Sequence, residues 1–425
     1  MKNKNIILSV FLLLEIIFLF FTKDYLPLTI NAACFFISSV LFGIVLIAFY
    51  YKKNAIRHTP SHSITGNANK ALILLTIISV IVLVPLQYII FKQYPIAPER
   101  SDIIPTIMIT VKRFLSGNLN VYTPTTELGY LLSPTYLPML WLPYSFTELL
   151  HIDYRWMSQL IWVIAFIIMM VRVLKTDNFY LKLLAFAFTY FLYYTIYDRE
   201  RPLYVNTVEI MIAGYYMLFI MALNTRNNIY IALAFTACIL SRYSLILWLP
   251  LWVFVMFFST NRKEIFRITG VTSMLVLLIY VLPFLSQDWQ AFSRSIAHYT
   301  RAAIGEWNHL DERGLPCSIY NGVGFAHLFY EAKGSDISAK IAAIQKLNVV
   351  LCLCITFILG IWYWLNRTRI DYRIFLMGSF KIYLAVFLAF IQVPYIYLMV
   401  VSVFVSIAIF SEQLSYKTSD YSPSL

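Results

Sequence analysis

The chain has 425 residues, of which 60% are hydrophobic and only 13% charged, against roughly 25% charged in an ordinary soluble domain. That balance excludes a soluble enzyme of comparable length and implies a membrane-embedded bundle whose spans each need about 20 apolar residues. The net charge of +12 does not signal nucleic acid, because the Lys and Arg residues sit in short runs between apolar segments, as the positive-inside rule requires.

In chain order, apolar runs predict spans at 6–22, 28–51, 71–91, 156–174, 183–197, 207–223, 229–241, 243–259, 268–285, 344–365, 374–390 and 394–410. No small-residue cleavage site follows the first run, so it reads as an uncleaved span and not a signal peptide. A further segment, 134–150, is broken by Pro134, Pro138 and Pro143, each of which removes a backbone donor. It is expected to dip in or lie at the interface, since such breaks survive at membrane depth only where protein or water satisfies the backbone. Cys34, Cys238, Cys352 and Cys354 fall inside spans and Cys317 in a loop, which gives neither a disulfide framework nor a zinc spacing.

Loop charge orients the bundle. Segments 52–70, 172–182, 224–229, 260–267 and 366–373 hold fourteen Lys/Arg against three acids, whereas 92–133, 198–206 and 286–343 hold eleven against eleven. The first set is expected on the cytoplasmic side and the second outside. The expected fold is therefore all-α: a polytopic transmembrane helical bundle of about 12–13 spans over residues 1–410, with two long extracytoplasmic loops, 92–133 and 286–343, and a polar, disordered tail at 411–425. Within the first long loop, residues 103–116 place Ile103, Ile107, Val111 and Phe114 at helical spacing and predict an amphipathic helix on the outer membrane surface.

The same loop opens with Pro98-Glu99-Arg100-Ser101-Asp102 and continues through that helix to Gly117-Asn118-Leu119-Asn120-Val121-Tyr122. Tyr136, Pro138, Trp141 and Pro143 follow, then Tyr204-Val205-Asn206-Thr207 at the start of a later span, and Arg242 between two short apolar runs. Over roughly residues 71–285 these features resemble the GT-C superfamily of integral-membrane glycosyltransferases. Within it they look most like glycosyltransferase family 87, the polyprenyl-phosphate-mannose-dependent mannosyltransferases. The resemblance implies a hexosyltransferase of the bacterial inner membrane. It would move a mannose-like sugar from a polyprenyl-phosphate donor to a glycan or lipid acceptor at the extracytoplasmic face, with no cofactor and no nucleic-acid partner.

The residues can support that chemistry. A carboxylate at the membrane boundary can take the proton of an acceptor hydroxyl, which makes Asp102 the candidate base. Fixed cations near lipid stabilise a leaving phosphate; Arg199, Arg201 and Arg242 are the candidates, joined by Glu209 about one turn inside its span. Tyr122 and Tyr136 can stack on a sugar, and Asn206 belongs to the same resemblance. Each has a plainer reading. Asp102 can be a loop acid paired with Arg100, and Arg199 and Arg201 alternate with Asp198 and Glu200. Arg242 can snorkel to headgroups, and interfacial tyrosines are usually anchors. Glu15 and Lys381 also fall within spans, where charge needs a partner; Lys381 has no evident one, and Glu15 is expected to pack against a neighbour.

Loop 286–343 carries Trp289, His298, His309 and Asp311. Two metal-ligand types without a third are weak evidence for a bound divalent metal, which stays open as the lesser reading; the loop is expected to cover the site and select the acceptor. Two alternatives stay open. Arg294 and Gly305, with ten residues between them, fit an O-antigen-polymerase-like pattern. A transporter of lipid-linked solutes would instead need inverted repeats with paired broken helices, and the proline break at 134–143 has no counterpart.

Overall fold

Uncharged runs of Leu, Ile, Phe and Val can satisfy their backbone in lipid only as helices or closed barrels, and in the computed structural model they are helices. The structure describes residues 2–49, 67–176, 179–225, 227–259, 262–334 and 336–414. The helices run α1 (Lys2–Phe20), α2 (Leu28–Phe49), α3 (Asn67–Gln93), α4 (Ile103–Leu115), α5 (Pro138–Trp141), α6 (Ser145–Leu149), α7 (Arg155–Val173), α8 (Phe179–Arg199), α9 (Pro202–Asn206) and α10 (Glu209–Leu223). They continue as α11 (Asn228–Ile239), α12 (Leu249–Ser259), α13 (Arg262–Val276), α14 (Ala291–Asn308), α15 (Cys317–Tyr320), α16 (Ala326–Glu331), α17 (Ile337–Asn366), α18 (Tyr372–Ala389) and α19 (Ile396–Gln413). Among the described residues there is no strand, only the isolated bridges Thr125–Leu132 and Leu310–Pro316.

Among the described residues, eight helices are long and apolar enough to cross a membrane: α2, α3, α7, α8, α13 with its π-helical continuation, α17, α18 and α19. The chain is a polytopic helical bundle. Alternation along the sequence gathers α4–α6, α9 and α14–α16 at one end, the loop-rich end. Most of the short basic connections lie at the other, although 52–66 and the tail from 415 onward fall outside the described residues. Ser411 to Gln413 still belong to α19 and are buried, so the expected tail begins later than its polarity suggests.

Charge inside the bundle is paired, as a low-dielectric interior demands. Lys381 on α18 lies 2.9 Å from Glu15 on α1, with neither side chain exposed. Ser402 accepts from the ammonium at 2.7 Å and Ser406 donates to the carboxylate at 2.9 Å. Three helices are thereby tied at one point, and Lys381 gains the partner that its sequence context leaves unidentified. Close by, α2 and α18 cross through glycines: a Cβ on Gly43 would stand 2.8 Å from the Gly378 carbonyl, the kind of backbone approach that small residues permit in membranes.

Three elements depart from expectation. α4 lays its apolar stripe (Ile104, Ile107 and Val111, all buried) on α5 and α6. It is packed on protein, not spread on lipid. Segment 134–150 does not cross: α5 dips to where Met139 donates its N–H to the Leu240 carbonyl at 3.0 Å and Tyr215 donates to the Met139 carbonyl at 3.1 Å. Finally, α10, α11 and α12 have 15, 12 and 11 residues, about 22, 18 and 17 Å at 1.5 Å per residue, short of a hydrocarbon core about 30 Å thick. α11 and α12 form a re-entrant hairpin with its tip at 240–248. The basic-end termini of α7, α10 and α19 are level, because Arg172 and Asn224 both bond Glu412, Arg172 at 2.9 Å and Asn224 at 2.5 Å. Since α7 has 19 residues and α10 has 15, α10 begins about 6 Å deeper than α7 does.

Candidate functional site

The shortened helices set Glu209 and the hairpin tip with Arg242 below the level of the neighbouring helix ends at the loop-rich end, and Asp102 lies on the same side. Asp102 precedes α4 and its side chain makes no capping bond; the carboxylate instead accepts from the Tyr130 hydroxyl at 3.0 Å. Its neighbour Ser101 donates to the Asn206 carbonyl at 2.9 Å, so Asn206 holds the Asp102 turn against α9 through its backbone. Arg100 lies over the Tyr94 ring, 5.5 Å from its centre, and leaves Asp102 to Tyr130.

Glu209 is the first residue of α10, and Arg242 sits in extended backbone at the hairpin tip. The two form an ion pair in which Glu209 is 3% exposed and Arg242 26%. Glu209 Oε2 and Arg242 Nε have no protein hydrogen-bond partner. The guanidinium is thus anchored from below and open from above.

Two tyrosines join Asp102 to this pair. The Tyr136 hydroxyl and the Tyr299 hydroxyl on α14 both experience the charges of Asp102, Glu209 and Arg242. Burial, reinforced by the neighbouring phenol and carboxylates, holds the Tyr136 phenol well above its ordinary pKa, so it remains a hydrogen-bond donor. Burial and the charge of Asp102 likewise push Tyr130 up to about 12. His298, one residue before Tyr299, has its pKa lowered by burial and by Arg301, against the opposing pull of Asp102. Tyr395 and Tyr397, at the start of α19, feel the same charges: Asp102 acts on the first, and Glu209 and Arg242 on the second. The charges of Asp102, Glu209 and Arg242 thus act on the same two phenols, Tyr136 and Tyr299.

Other expected site residues lie elsewhere. Tyr122 is buried, accepts from Trp141 Nε1 at 3.3 Å and packs edge-on against Tyr280 and Phe284; it belongs to the packed core and offers no face to a ligand. Arg199 donates to the Phe20 carbonyl at 3.0 Å and covers the Phe21 ring, which staples α8 to α1. Arg201 bonds the Tyr197 carbonyl one turn back at 3.0 Å. Neither reaches Asp102 or Arg242 through its contacts, because the last turn of α8 supplies nearer acceptors. Arg294 is engaged by Asp288, with Nη1 to Oδ1 at 3.1 Å. Asp311 is taken by Arg313 at 2.7 Å. Among the described residues no three His, Cys, Asp or Glu side chains group as metal ligands.

Sequence reasoning missed Tyr130, Tyr299, Tyr395 and Tyr397, and placed His298 only in a loop expected to cover the site. The adjacent His298-Tyr299 in a long outer loop and the Tyr-Ile-Tyr at 395–397 were the available signals, but nothing local links either to residue 102. No family model matches the sequence, and no curated protein and no solved structure matches it.

Proposed function

We propose that the chain is an integral-membrane glycosyltransferase that moves a hexose, mannose-like, from a polyprenyl-phosphate sugar to a hydroxyl acceptor at the extracytoplasmic face of a bacterial inner membrane. The observation that carries this reading is the convergence of Asp102 with the Glu209–Arg242 pair on Tyr136 and Tyr299.

In this reading the acceptor oxygen bonds to the anomeric carbon as the bond from that carbon to the phosphate oxygen breaks. The acceptor proton passes to an Asp102 carboxylate oxygen, and the lipid phosphate leaves with the electron pair. Arg242 stabilises the departing phosphate from a pocket where water is scarce and charge interactions are strong. Glu209 keeps the guanidinium aimed, and Tyr136 donates to the same anion. Depth favours a lipid-linked donor over a soluble one, because Arg242 pairs with a helix that starts about 6 Å below its neighbour.

The direct test is Asp102→Asn in purified protein supplied with a polyprenyl-phosphate hexose. Transfer should fall by about 10²–10⁴, the usual contribution of a general base, with the thermal melting curve in detergent unchanged. Full activity in that variant would remove Asp102 from the mechanism.

A further inference from the structure

At the end of the bundle with the short basic connections, the start of α11 and the second turn of α13 enclose a cleft of about 490 Å³, lined by Thr225, Asn227, Asn228, Ile229, Tyr230 and Arg267. Its size falls in the range of ligand sites, about 300–1,000 Å³, and no acid lines it. Asn227 caps α11, its side-chain oxygen accepting from the Ile229 N–H at 3.0 Å, so the positive end of that helix borders the cleft.

Arg267 differs from the other cations at this end. Arg172 is taken by Glu412 at 2.9 Å, Lys182 donates to Asn69 at 2.6 Å, and Arg367 lies over the Trp364 ring, 4.0 Å from its centre. Arg267 is exposed, and among the described residues its guanidinium has neither an ion pair nor a hydrogen bond. Even Glu264, one turn before it, is no ion-pair partner. Around the cleft Ile229, Tyr230 and Phe266 are 52%, 60% and 75% exposed, which puts apolar and aromatic surface beside the open cation.

We infer that this cleft binds the phosphate of an anionic phospholipid headgroup. A guanidinium presents a donor fork that matches two phosphate oxygens, and basic pockets between transmembrane helices at the cytoplasmic leaflet receive anionic headgroups. The exposed Ile229, Tyr230 and Phe266 favour a lipid over a soluble anion, since such side chains belong where headgroups meet acyl chains. The assignment does not depend on sugar transfer. α11 leads from this cleft to the hairpin tip at 240–248, so the headgroup is held at the base of the hairpin whose far end carries Arg242.

Native mass spectrometry of the purified full chain in detergent tests the site, with dioleoyl phosphatidylglycerol and dioleoyl phosphatidylcholine as probes. The wild type should hold the anionic lipid at least about tenfold more tightly than the zwitterionic one. Arg267→Gln should weaken the anionic lipid about tenfold, whereas Arg262→Gln, outside the cleft on the same helix, should change it less than about twofold. Asn228→Asp should also weaken it, with no fall in melting temperature, because an acid in the first turn suits the helix dipole while repelling the phosphate. Equal affinity for the two lipids, or equal losses in Arg262→Gln and Arg267→Gln, would overturn the headgroup site. Displacement of the lipid by excess inorganic phosphate would overturn it too, and assign the cleft to a soluble anion.

Discussion

A cation and a carboxylate buried together can serve as a structural tie or as a ligand site, and access from outside distinguishes the two. Lys381 and Glu15 are both fully enclosed, with Ser402 and Ser406 as hydrogen-bond partners, and Glu15 Oε1 is held by the ion pair alone. Around Arg242, a quarter of the side chain is open, and one donor and one acceptor of the pair lack partners. Removing one member of a buried pair strands the other, typically at about 3–5 kcal/mol, whereas replacing both by neutral groups is far milder. Arg242→Met and Glu209→Gln should therefore each lower the melting temperature in detergent, and the double variant should recover most of that loss while remaining inactive in sugar transfer. A double variant that regains activity would show the pair to be a tie only. Glu15, Glu209, Lys381, Arg242 and Asp102 were all legible as individual residues, since charge beside apolar sequence stands out. Their pairings were not, because each joins helices far apart in the chain.

At the scale of elements, hydropathy located every helix long and apolar enough to cross a membrane, whereas the 18-residue α14 fell in a stretch that reads as loop. Each predicted run corresponds to a helix, with ends displaced by a few residues where a polar first or last turn continues beyond the apolar core, as in α3 and α17. It did not tell lipid from protein as the surroundings of an apolar face. α4 has the periodicity of a surface helix, yet its stripe is covered by α5 and α6. The prolines of 134–150 correctly argued against a full span, and the descending α5 fills the space that the short α11–α12 hairpin leaves. Helix length was the other hidden quantity. Residues 229–259 are apolar enough for two spans, but Arg242 and the turn around it take nine residues from helix and give them to the tip. The charge that marks the site also shortens the helices around it.

For the molecule as a whole, the bundle has a loop-rich end that carries the candidate site and an opposite end with short basic connections, including Arg172, Arg262, Lys263, Arg267, Arg367 and Arg373. Lys and Arg flanking a span are generally retained on the cytoplasmic side during insertion, and on that rule we propose that the loop-rich end faces outward. Reporter fusions in 52–70 and in 286–343 should report opposite compartments, the first cytoplasmic; matching signals would overturn the orientation and the site's exposure to an extracytoplasmic acceptor. The packing agrees with one cooperative body: the main buried apolar cluster draws residues from α1 through α19, and a smaller one around Trp307, Ile319 and Ile344 joins α14, α15 and α17.

Biogenesis follows the chain from its N-terminus, and segments of 12 and 11 residues are too short to be retained by the bilayer as independent spans. The hairpin must enter as a unit, with Arg242 at its leading edge, after α10 has already placed Glu209 at the depth where that charge arrives. In the full chain, a single cysteine placed at Ser244 should react more readily with a membrane-impermeant thiol reagent in Glu209→Val than beside native Glu209. Equal reactivity in both would mean that the hairpin is held by its apolar surface alone. Chain order, with the anion made before the cation, is in this sense part of how the site is built.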